Sequence, residues 1–381
     1  MEEILLIDKL SPKASQKLGS EYHLSPTATD YRAIILRSSN IHSFAFPDSL
    51  LCVGRSGAGT NNIPVAELAE KGVVVFNAPG ANANAVKELV LTSLFISSRN
   101  IIAANSWVNT LRDGELAVAK QVEKGKSAFA GTEILGKTLC VYGLGAIGKK
   151  VALSAKALGM NVIGYDPYLT EEAKQELNGI TIATDKQALF KYADYLTLHV
   201  PLTSETKNFI SEQSIATMKD GVKLINLARG ELVDSEAIIN ATQSGKVSCY
   251  VTDFATEELL NKKNIIVLPH LGASTVEAED NCAVVTCNEI VDYLENGNIK
   301  NSVNYPNISS QKGNHRLVVL FKNEETEVKI SKLIFGKLAL TTSALKKDFG
   351  VLLIDTDEKL DENTIENIKA TEGVLKLRYI H

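Results

Sequence analysis

Short apolar runs alternate with amphipathic stretches along most of this chain. Four of these runs lie within the first hundred residues, at 4–7, 33–37, 50–54 and 73–77. A second series has the same rhythm and comprises the runs at 138–142, 161–165, 195–200, 223–228, 249–254 and 265–270. Short apolar runs separated by helical stretches are typical of parallel sheets with crossover helices. The pattern therefore predicts an α/β fold with two doubly wound parallel sheets of the Rossmann-like kind.

Helical periodicity is clearest at residues 63–70, 86–104 and 276–296. Near the end of the chain, residues 316–380 follow the order strand, helix, strand, strand, helix, strand. This order is typical of a small α+β module with a ferredoxin-like fold. The chain is therefore expected to end in a module that is separate from the two parallel sheets.

A chain of 381 residues is too long for one ordinary domain. The polar stretch at 305–314 has the composition of a linker and separates the parallel sheets from the C-terminal module. The predicted domains are a discontinuous substrate-binding domain at 1–99 and 280–305, a dinucleotide-binding domain at 100–279, a linker at 306–314 and the module at 315–381.

A glycine pattern follows the first apolar run of the second series. Gly143, Gly145 and Gly148 form G-x-G-x-x-G between a strand and a helix, and Asp166 follows the next strand. The glycines allow a tight turn, a close approach to a pyrophosphate and close packing of the helix on the strand. The carboxylate can accept hydrogen bonds from the ribose hydroxyls and repels a 2′-phosphate. The segment therefore predicts a dinucleotide site that prefers NAD to NADP.

Composition and charge narrow the class of protein. Apolar residues make up 45% of the chain and charged residues 22%, and the formal net charge of −5 favours neither nucleic acid nor an acidic membrane as a partner. No apolar run reaches membrane-spanning length, and the acidic start MEEILLID is not expected to be a signal peptide. The five cysteines include no C-x-x-C pair, which favours reduced core thiols and a cytosolic compartment.

Chemically suitable side chains follow three successive strands of the second series. Arg229 follows the run at 223–228, Glu257 and Glu258 follow the next run, and His270 ends the last. A histidine tuned by a carboxylate can take a hydroxyl proton, and an arginine can bind a carboxylate through two hydrogen bonds. Each residue alone is more often structural, but together with a dinucleotide site they favour hydride transfer from a hydroxy acid.

Five motifs in order support a family resemblance. They are VGRSGAGTNNI at 53–63, FAGTEILGKTLCVYGLGAIGKKVA at 129–152, LHVPLTSETKNFI at 198–210, INLARGELVD at 225–234 and LPHLGASTVEAE at 268–279. Over residues 34–303 the chain resembles the D-2-hydroxyacid dehydrogenase family. The C-terminal module is similar to an ACT regulatory domain. The resemblance is strongest to family members that oxidise 3-phospho-D-glycerate to 3-phosphohydroxypyruvate with NAD.

The resemblance assigns roles to individual residues. Arg229 matches the substrate-orienting arginine and His270 the acid–base histidine, while Glu258, or Glu257 if the segment is shifted by one residue, matches the glutamate that pairs with the histidine. The residues that match cofactor contacts are Gly143, Gly145, Ala146, Ile147, Gly148, Asp166, His199, Val200, Pro201, Thr206, Ala228 and Asp253. The residues expected to hold a phosphorylated substrate are Arg37, Arg55, Ser56, Gly57 and Lys126.

Two other functions stay open at this point. One is a dehydrogenase for a non-phosphorylated D-2-hydroxy acid, and the other is a non-catalytic NAD-sensing interaction protein with the same fold. The C-terminal module also departs from the ACT pattern, because the segment FKNEETEVKI lacks the Pro or Gly of the usual effector-binding turn. A dimer-forming or vestigial role is therefore favoured over amino-acid feedback. NAD is the cofactor expected, no metal is expected, and the chain is expected to form a homodimer or homotetramer.

Overall fold

The computed structural model describes residues 2–336 and 339–380 of the chain. The chain divides into two compact units, of which the first is Met1–Asn82 with Val276–His381 and the second is Ala83–Thr275. The sequence pattern sets its domain limits at residues 99 and 279, and that division stays a prediction. Among the helices of the described residues, none is both long and apolar enough to cross a bilayer.

A five-stranded parallel sheet occupies the start of the first unit. Its strands are β1 (Glu2–Leu6), β2 (Tyr22–Ser25), β3 (Ala33–Leu36), β4 (Cys52–Arg55) and β5 (Val74–Asn77), in the order β2-β1-β3-β4-β5. The helices α1 (Pro12–Ser15) and α2 (Val65–Glu70) connect them. All four residues of β3 are buried, because a central parallel strand is covered on both faces. Leu36 pairs with Arg55, so Arg37 and Arg55 lie at the same edge of this sheet.

The second unit contains a seven-stranded parallel sheet. Its strands are β6 (Thr138–Tyr142), β7 (Asn161–Tyr165), β8 (Thr181–Ile182), β9 (Tyr195–Leu198), β10 (Val222–Asn226), β11 (Val247–Thr252) and β12 (Ile265–Val267). They lie in the order β12-β11-β10-β9-β6-β7-β8, which reverses direction between β6 and β9. Ligands of open α/β sheets bind outside the carboxyl ends of the strands at such a reversal. Both parallel sheets confirm the fold class that the apolar runs predict.

Helices connect the strands of the second unit. They are α3 (Ala83–Arg99), α4 (Ile101–Val108), α5 (Val118–Gly125), α6 (Ala146–Ala157), α7 (Glu171–Gln175), α8 (Gln187–Tyr192), α9 (Glu212–Ala216) and α10 (Ser235–Ser244). The single helix predicted at 86–104 is wrong, because the chain breaks at Asn100, which has a left-handed φ of 51°. The end of α3 is held by a neighbouring loop instead, since the Thr132 N–H donates to the Ser98 carbonyl at 2.9 Å.

The chain ends in a long helix and a separate antiparallel module. The helix α11 (Val276–Asn296) has the bounds that the periodicity predicts. The module consists of β13 (His315–Lys322), α12 (Asn323–Ile334), β14 (Ala339–Lys346), β15 (Phe349–Thr356), α13 (Glu362–Lys369) and β16 (Val374–Ile380). Its sheet has the order β14-β15-β13-β16 with antiparallel pairs. This arrangement confirms the predicted ferredoxin-like order of elements.

Two cations of β16 attach the module to the rest of the first unit. Lys376 Nζ donates to the carbonyls of Asp48 and Leu50 at 3.0 and 2.6 Å. Arg378 Nη1 donates to the Leu294 carbonyl at 2.9 Å, and its guanidinium lies 4.6 Å from the Tyr293 ring centroid. These two side chains therefore attach β16 to the loop before β4 and to α11.

A buried carboxyl on α11 gives the first unit a pH-dependent stability. Glu289 is 7% exposed, its Oε1 accepts from Asn301 Nδ2 at 2.6 Å, and its Oε2 has no hydrogen-bond partner among the described residues. Burial raises the pKa of Glu289 to about 7 from the ordinary 4.5. Between these two values the folded chain therefore holds a proton that the unfolded chain releases.

We expect the free energy of unfolding to fall by up to about 3 kcal/mol as the pH rises from about 4.5 to above 7. This contribution is complete below the unfolded pKa and is lost as the pH rises through the folded one. Urea unfolding at the same pH values measures this contribution, which should be absent in Glu289→Gln. Glu295→Gln, at an exposed position of the same helix, is the control and should keep it. An unchanged pH dependence in Glu289→Gln would contradict the assignment.

Candidate active site

The glycine turn after β6 forms a cradle in the second unit. Gly143 has a φ of +92°, and a Cβ there would lie 2.5 Å from the His199 carbonyl oxygen. A Cβ on Gly148 would overlap the Gly143 carbonyl oxygen, so α6 packs directly on the turn. Gly145 instead faces open space, with no neighbouring atom within 4 Å of a Cβ. Gly143 and Gly148 thus show the tight turn and the close helix packing that the motif predicts, and the approach of a pyrophosphate to Gly145 stays a prediction.

The start of α6 is suited to an anion. Gly145 precedes the helix without a side-chain cap, and Ala146 at the first helical position is exposed. The backbone N–H groups of a first turn have no partner within the helix, and the helix dipole places positive potential there. This end of α6 can therefore hold the pyrophosphate of a dinucleotide.

Asp166 stands directly after β7, beside the glycine turn. Its Oδ2 accepts from the Leu144 N–H at 2.9 Å, and its Oδ1 accepts from the Tyr168 N–H at 2.9 Å. Two backbone groups therefore fix the carboxylate at the carboxyl end of its strand. This is the position from which an acid can receive ribose hydroxyls.

The segment after β9 forms a rigid wall next to the glycine turn. Burial lowers the pKa of His199 to about 3, so its ring is neutral, and Nε2 lies 3.0 Å from Thr197 Oγ1. The Thr206 hydroxyl donates to the Pro201 carbonyl at 2.7 Å and accepts from the Thr203 N–H at 2.8 Å. Val200 lies against the turn, because its Cγ1 would be 2.9 Å from a Cβ on Gly143. That this segment contacts the adenosine of a bound dinucleotide stays a prediction.

The close approach at Gly143 leads to a testable expectation. Gly143→Ala should weaken NADH binding at least tenfold, since alanine is strained at this φ and its Cβ would collide with the His199 backbone. Gly136→Ala is the control, because Gly136 also has a positive φ of +72° but faces open space. Fluorescence titration with NADH measures both. Equal NADH affinities in Gly143→Ala and Gly136→Ala would mean that backbone strain alone, and not the collision with the His199 backbone, explains any loss of binding.

Arg229 follows β10, in the position that the sequence predicts. The side chain of the buried Asn226 stabilises the loop that carries Arg229. Its Nδ2 donates to the Arg229 carbonyl at 2.8 Å, and its Oδ1 accepts from the Ala228 N–H at 3.2 Å. Arg229 Nη1 donates to the Ala228 carbonyl, and the side chain is exposed. The position of Asn226 between Ile225 and Leu227 was the signal that the sequence reasoning missed.

Asp253, after β11, braces the loop that carries His270. Its carbonyl accepts from the His270 N–H at 2.9 Å, and its Oδ2 accepts from the Gly272 N–H at 3.0 Å. The side chain is only 1% exposed, and Oδ1 has no partner among the described residues. Burial raises the pKa of Asp253, against the lowering effect of Gly272, His270 and Arg229. The second unit thus brings Arg229, Asp253 and His270 into one electrostatic environment.

His270 has an unusual backbone and a defined ring position. Its φ is +50°, a left-handed value that costs energy for a side chain with a Cβ. Its ring packs edge-on against Phe254 with 5.1 Å between centroids. A cavity of about 790 Å³ opens beside it, lined in part by Gly230, Thr252 and Asp253. Phe254 is a second residue that the sequence reasoning did not single out.

The predicted glutamate partner of His270 is not in contact with it. Glu257 and Glu258 are exposed and lie in a turn after β11. Within the described part of the chain, neither carboxylate forms a hydrogen bond or ion pair with the imidazole. The choice between Glu257 and Glu258, and the pairing itself, stay predictions.

The predicted substrate-binding residues are divided between the two units. Arg37, Arg55, Ser56 and Gly57 belong to the first unit, and Lys126 belongs to the second. In the first unit a Cβ on Gly57 would collide with the Arg55 guanidinium, and the buried Ser56 hydroxyl has no hydrogen-bond partner among the described residues. These side chains therefore form a polar cluster at the carboxyl ends of β3 and β4.

Arg37 and Lys126, which the sequence predicts to bind phosphate, each have a carboxylate partner. Arg37 Nη1 lies 2.7 Å from Glu279 Oε1 in the first unit. Lys126 pairs with Glu123 in the second unit, where both side chains are largely exposed. Glu279 is a residue that the sequence reasoning missed, and no local pattern relates it to Arg37.

Comparison with known proteins decides the family. The model for the D-isomer specific 2-hydroxyacid dehydrogenase NAD binding domain matches residues 91–272. A hydroxypyruvate reductase of Thermotoga maritima is 40% identical over 240 residues, which cover 61% of this chain and 73% of that protein. The chain belongs to the D-isomer-specific 2-hydroxyacid dehydrogenase family. The family resemblance and the NAD-binding prediction made from the glycine motif are confirmed.

Further relatives agree with this membership. The D-3-phosphoglycerate dehydrogenase of Methanocaldococcus jannaschii is 39% identical over 271 residues, which are 70% of this chain and 49% of that protein. A glyoxylate reductase from Paecilomyes thermophila has a TM-score of 0.67 at 25% identity, over 79% of this chain and 98% of that one. The chain spans about half the length of the phosphoglycerate dehydrogenases that it matches, from 49% to 59% of their residues.

Proposed function

We propose that this family member oxidises 3-phospho-D-glycerate to 3-phosphohydroxypyruvate with NAD, the first step of the phosphorylated route to serine. The observation that carries the proposal is the pair Arg37 and Arg55 at adjacent strand ends of the first sheet. Two guanidiniums at one edge suit a substrate that carries a phosphate as well as a carboxylate. Several relatives named D-3-phosphoglycerate dehydrogenase support the same substrate.

The proposed chemistry uses the residues gathered in the second unit. NAD, when bound, accepts a hydride from carbon 2 of the substrate. Its pyrophosphate is proposed to lie at Gly145 and the start of α6, and its ribose at Asp166. The unpartnered Oδ1 of the buried Asp253 supports a contact with the nicotinamide end.

His270 is the proposed base. A ring nitrogen of His270 takes the hydroxyl proton as the C–H bond at carbon 2 breaks, so that a C=O double bond forms. Arg229 binds the substrate carboxylate through its fork of N–H donors and orients carbon 2. In reverse, the imidazolium returns the proton to the carbonyl oxygen. Glu257 or Glu258 is proposed to approach the imidazole and raise its basicity.

Arg55 is the residue on which the phosphate assignment most depends. Arg55→Ala should raise KM for 3-phosphohydroxypyruvate by about 10- to 100-fold, because a charge-assisted hydrogen bond to a dianion is lost. The KM for hydroxypyruvate should rise by less than about threefold. Steady-state NADH oxidation measures both, with Arg32→Ala as a control arginine of the same unit. Equal losses on the two keto acids would remove the phosphate assignment.

A second candidate is a reductase for a non-phosphorylated 2-keto acid such as hydroxypyruvate. The specific observation in its favour is that carboxylates already neutralise Arg37 and Lys126. The relative named hydroxypyruvate reductase points the same way. In this case Arg229 and His270 keep their roles, and only the substrate changes.

The compartment and the assembly are also proposals. All five cysteines are buried with free thiols, which supports a reducing compartment such as the cytosol. A homodimer or homotetramer is supported by α4, which has no buried side chain and exposes Ile101, Ile102 and Val108. The C-terminal module is proposed to serve structure or assembly, since its first helix turn carries the acidic Glu324 and Glu325.

A further inference from the structure

Two arginines of the first unit face the beginning of α11. Arg37 Nη1 forms an ion pair with Glu279 Oε1 at 2.7 Å. One turn further along the helix, burial raises the pKa of the Cys282 thiol, and the charges of both Arg37 and Arg55 oppose this rise. The two guanidiniums and the Glu279 carboxylate therefore share one small region.

The backbone of Arg37 is held firmly in place. The Asp8 Oδ2 accepts from the N–H groups of Arg37, Ser38 and Ser39 at 2.6, 2.9 and 3.1 Å. Although partial burial opposes it, these hydrogen bonds and that from the Ser39 hydroxyl lower the pKa of Asp8. Asn62 Nδ2 also donates to the Ser39 carbonyl at 2.8 Å. These hydrogen bonds therefore fix the backbone position from which the Arg37 side chain extends.

The helix that carries Glu279 is equally fixed. Thr286 Oγ1 donates to the Arg55 carbonyl at 3.2 Å. A Cβ on Gly54 would lie 2.5 Å from Thr286 Cγ2 and 2.6 Å from Ile290 Cδ1, so α11 packs against the backbone of β4. Glu279 can therefore separate from Arg37 through rotation of its own side chain, without movement of the helix.

The ion pair is suited to exchange. The side chain of Arg37 is 34% exposed and that of Glu279 is 46% exposed. An ion pair this exposed to solvent favours the paired over the separated side chains by only about fivefold or less. A phosphate dianion binds a guanidinium more strongly, through two charge-assisted hydrogen bonds. A carboxylate that stays nearby would repel that dianion.

We propose that Glu279 is a specificity residue that competes with the phosphate of the substrate for Arg37. The inference rests on the proposed function, which assigns Arg37 and Arg55 to the phosphate end of the substrate. A phosphate must displace the Glu279 carboxylate, whereas a neutral hydroxymethyl end leaves the Arg37–Glu279 pair intact. Glu279 therefore makes the preference for phosphorylated over non-phosphorylated acids smaller than it would be without this carboxylate beside Arg37.

The first test compares two neutral variants of the same helix turn. Glu279→Gln should lower KM for 3-phosphohydroxypyruvate by about three- to tenfold relative to KM for hydroxypyruvate. Glu277→Gln is the matched control, because Glu277 is also exposed in the first turn of α11. Its replacement by glutamine removes the same charge from that end of the helix. Its ratio of the two KM values should change by less than about twofold. Equal changes in the two variants would overturn the inference.

A double-mutant cycle tests whether the effect passes through Arg37. In an Arg37→Gln background, Glu279→Gln should no longer improve the KM for 3-phosphohydroxypyruvate. A rise in that KM on Glu279→Gln alone would show that Glu279 positions Arg37 for the phosphate and does not compete with it. That result would also overturn the inference.

Calorimetric titration of the full chain with inorganic phosphate separates this inference from the proposed function. Glu279→Gln should bind phosphate about three- to tenfold more tightly than the unchanged chain, and Arg37→Gln more weakly. If phosphate affinity changes in this way but 3-phosphohydroxypyruvate is not reduced, the proposed function fails, and the competition of Glu279 with phosphate for Arg37 stands without its role in substrate choice. If 3-phosphohydroxypyruvate is reduced but phosphate affinity is the same in Glu279→Gln, the inference fails and the proposed function stands.

Discussion

Replacing His270 by alanine is expected to lower the rate of hydride transfer by about three orders of magnitude while NADH still binds. The reaction cannot proceed without a group that takes the hydroxyl proton, and a positioned acid–base residue contributes about 10²- to 10⁴-fold. The binding of NADH should persist, because the glycine turn and Asp166 follow β6 and β7, whereas His270 follows β12.

Single-turnover NADH oxidation and NADH fluorescence titration measure the two properties of His270→Ala separately. His23→Ala is the control, because His23 is an exposed histidine of β2 that pairs with Glu3. Turnover of His270→Ala within tenfold of the unchanged chain would show that another group takes the proton. Loss of NADH binding would show that His270 is needed for the structure of the site.

Replacing Arg316 by methionine is expected to lower the free energy of unfolding by about 3–5 kcal/mol. Arg316 is fully buried, and its Nε and Nη2 donate to the two Asp355 carboxylate oxygens at 2.7 Å each. It also donates to the carbonyls of Asn296 and Gln311 at 2.6 and 3.0 Å and so ties the end of α11 and the segment 306–314 to the module. The methionine variant would leave the buried Asp355 carboxylate without its cation, although the Gly313 N–H still donates to Oδ1, and it would leave several carbonyls without the arginine donor.

A double variant checks the reason for that loss. A buried ion pair costs much desolvation, so Arg316→Met with Asp355→Leu should be more stable than Arg316→Met alone. Urea unfolding followed by circular dichroism measures the single and double variants, with Arg32→Met as a control at a half-buried arginine whose ion pair with Glu2 is solvent-accessible. A loss below about 1 kcal/mol in Arg316→Met would mean that the pair contributes no more than a surface ion pair.

Features encoded by neighbouring residues could be predicted from the sequence. The glycine turn needs residues only five positions apart, and Val276–Asn296 has a continuous helical period with no breaker inside it. Arg229 and His270 could also be placed at one sheet edge, because parallel strands end at the same side. By contrast, β2 has the polar sequence YHLS and was not predicted, and the break at Asn100 depends on packing of the 130–132 loop.

Features that depend on pairing between distant segments could not be predicted. Glu279 meets Arg37 only because α11 packs on β4, and nothing in the sequence near either residue indicates the pair. The same holds for Asp8, which lies under the Arg37 loop, and for Arg316 with Asp355. The glutamate that the family pattern predicts beside His270 lies in an exposed turn, and its pairing with His270 stays a prediction.

The most direct measurement is NADH oxidation by the purified chain with four keto acids at equal concentration. These are 3-phosphohydroxypyruvate, hydroxypyruvate, pyruvate and 2-oxoglutarate. We expect kcat/KM for 3-phosphohydroxypyruvate to exceed the others by at least about tenfold, the value of one good charge-assisted contact to phosphate. A higher kcat/KM for hydroxypyruvate, or for either of the other acids, would contradict the proposed substrate.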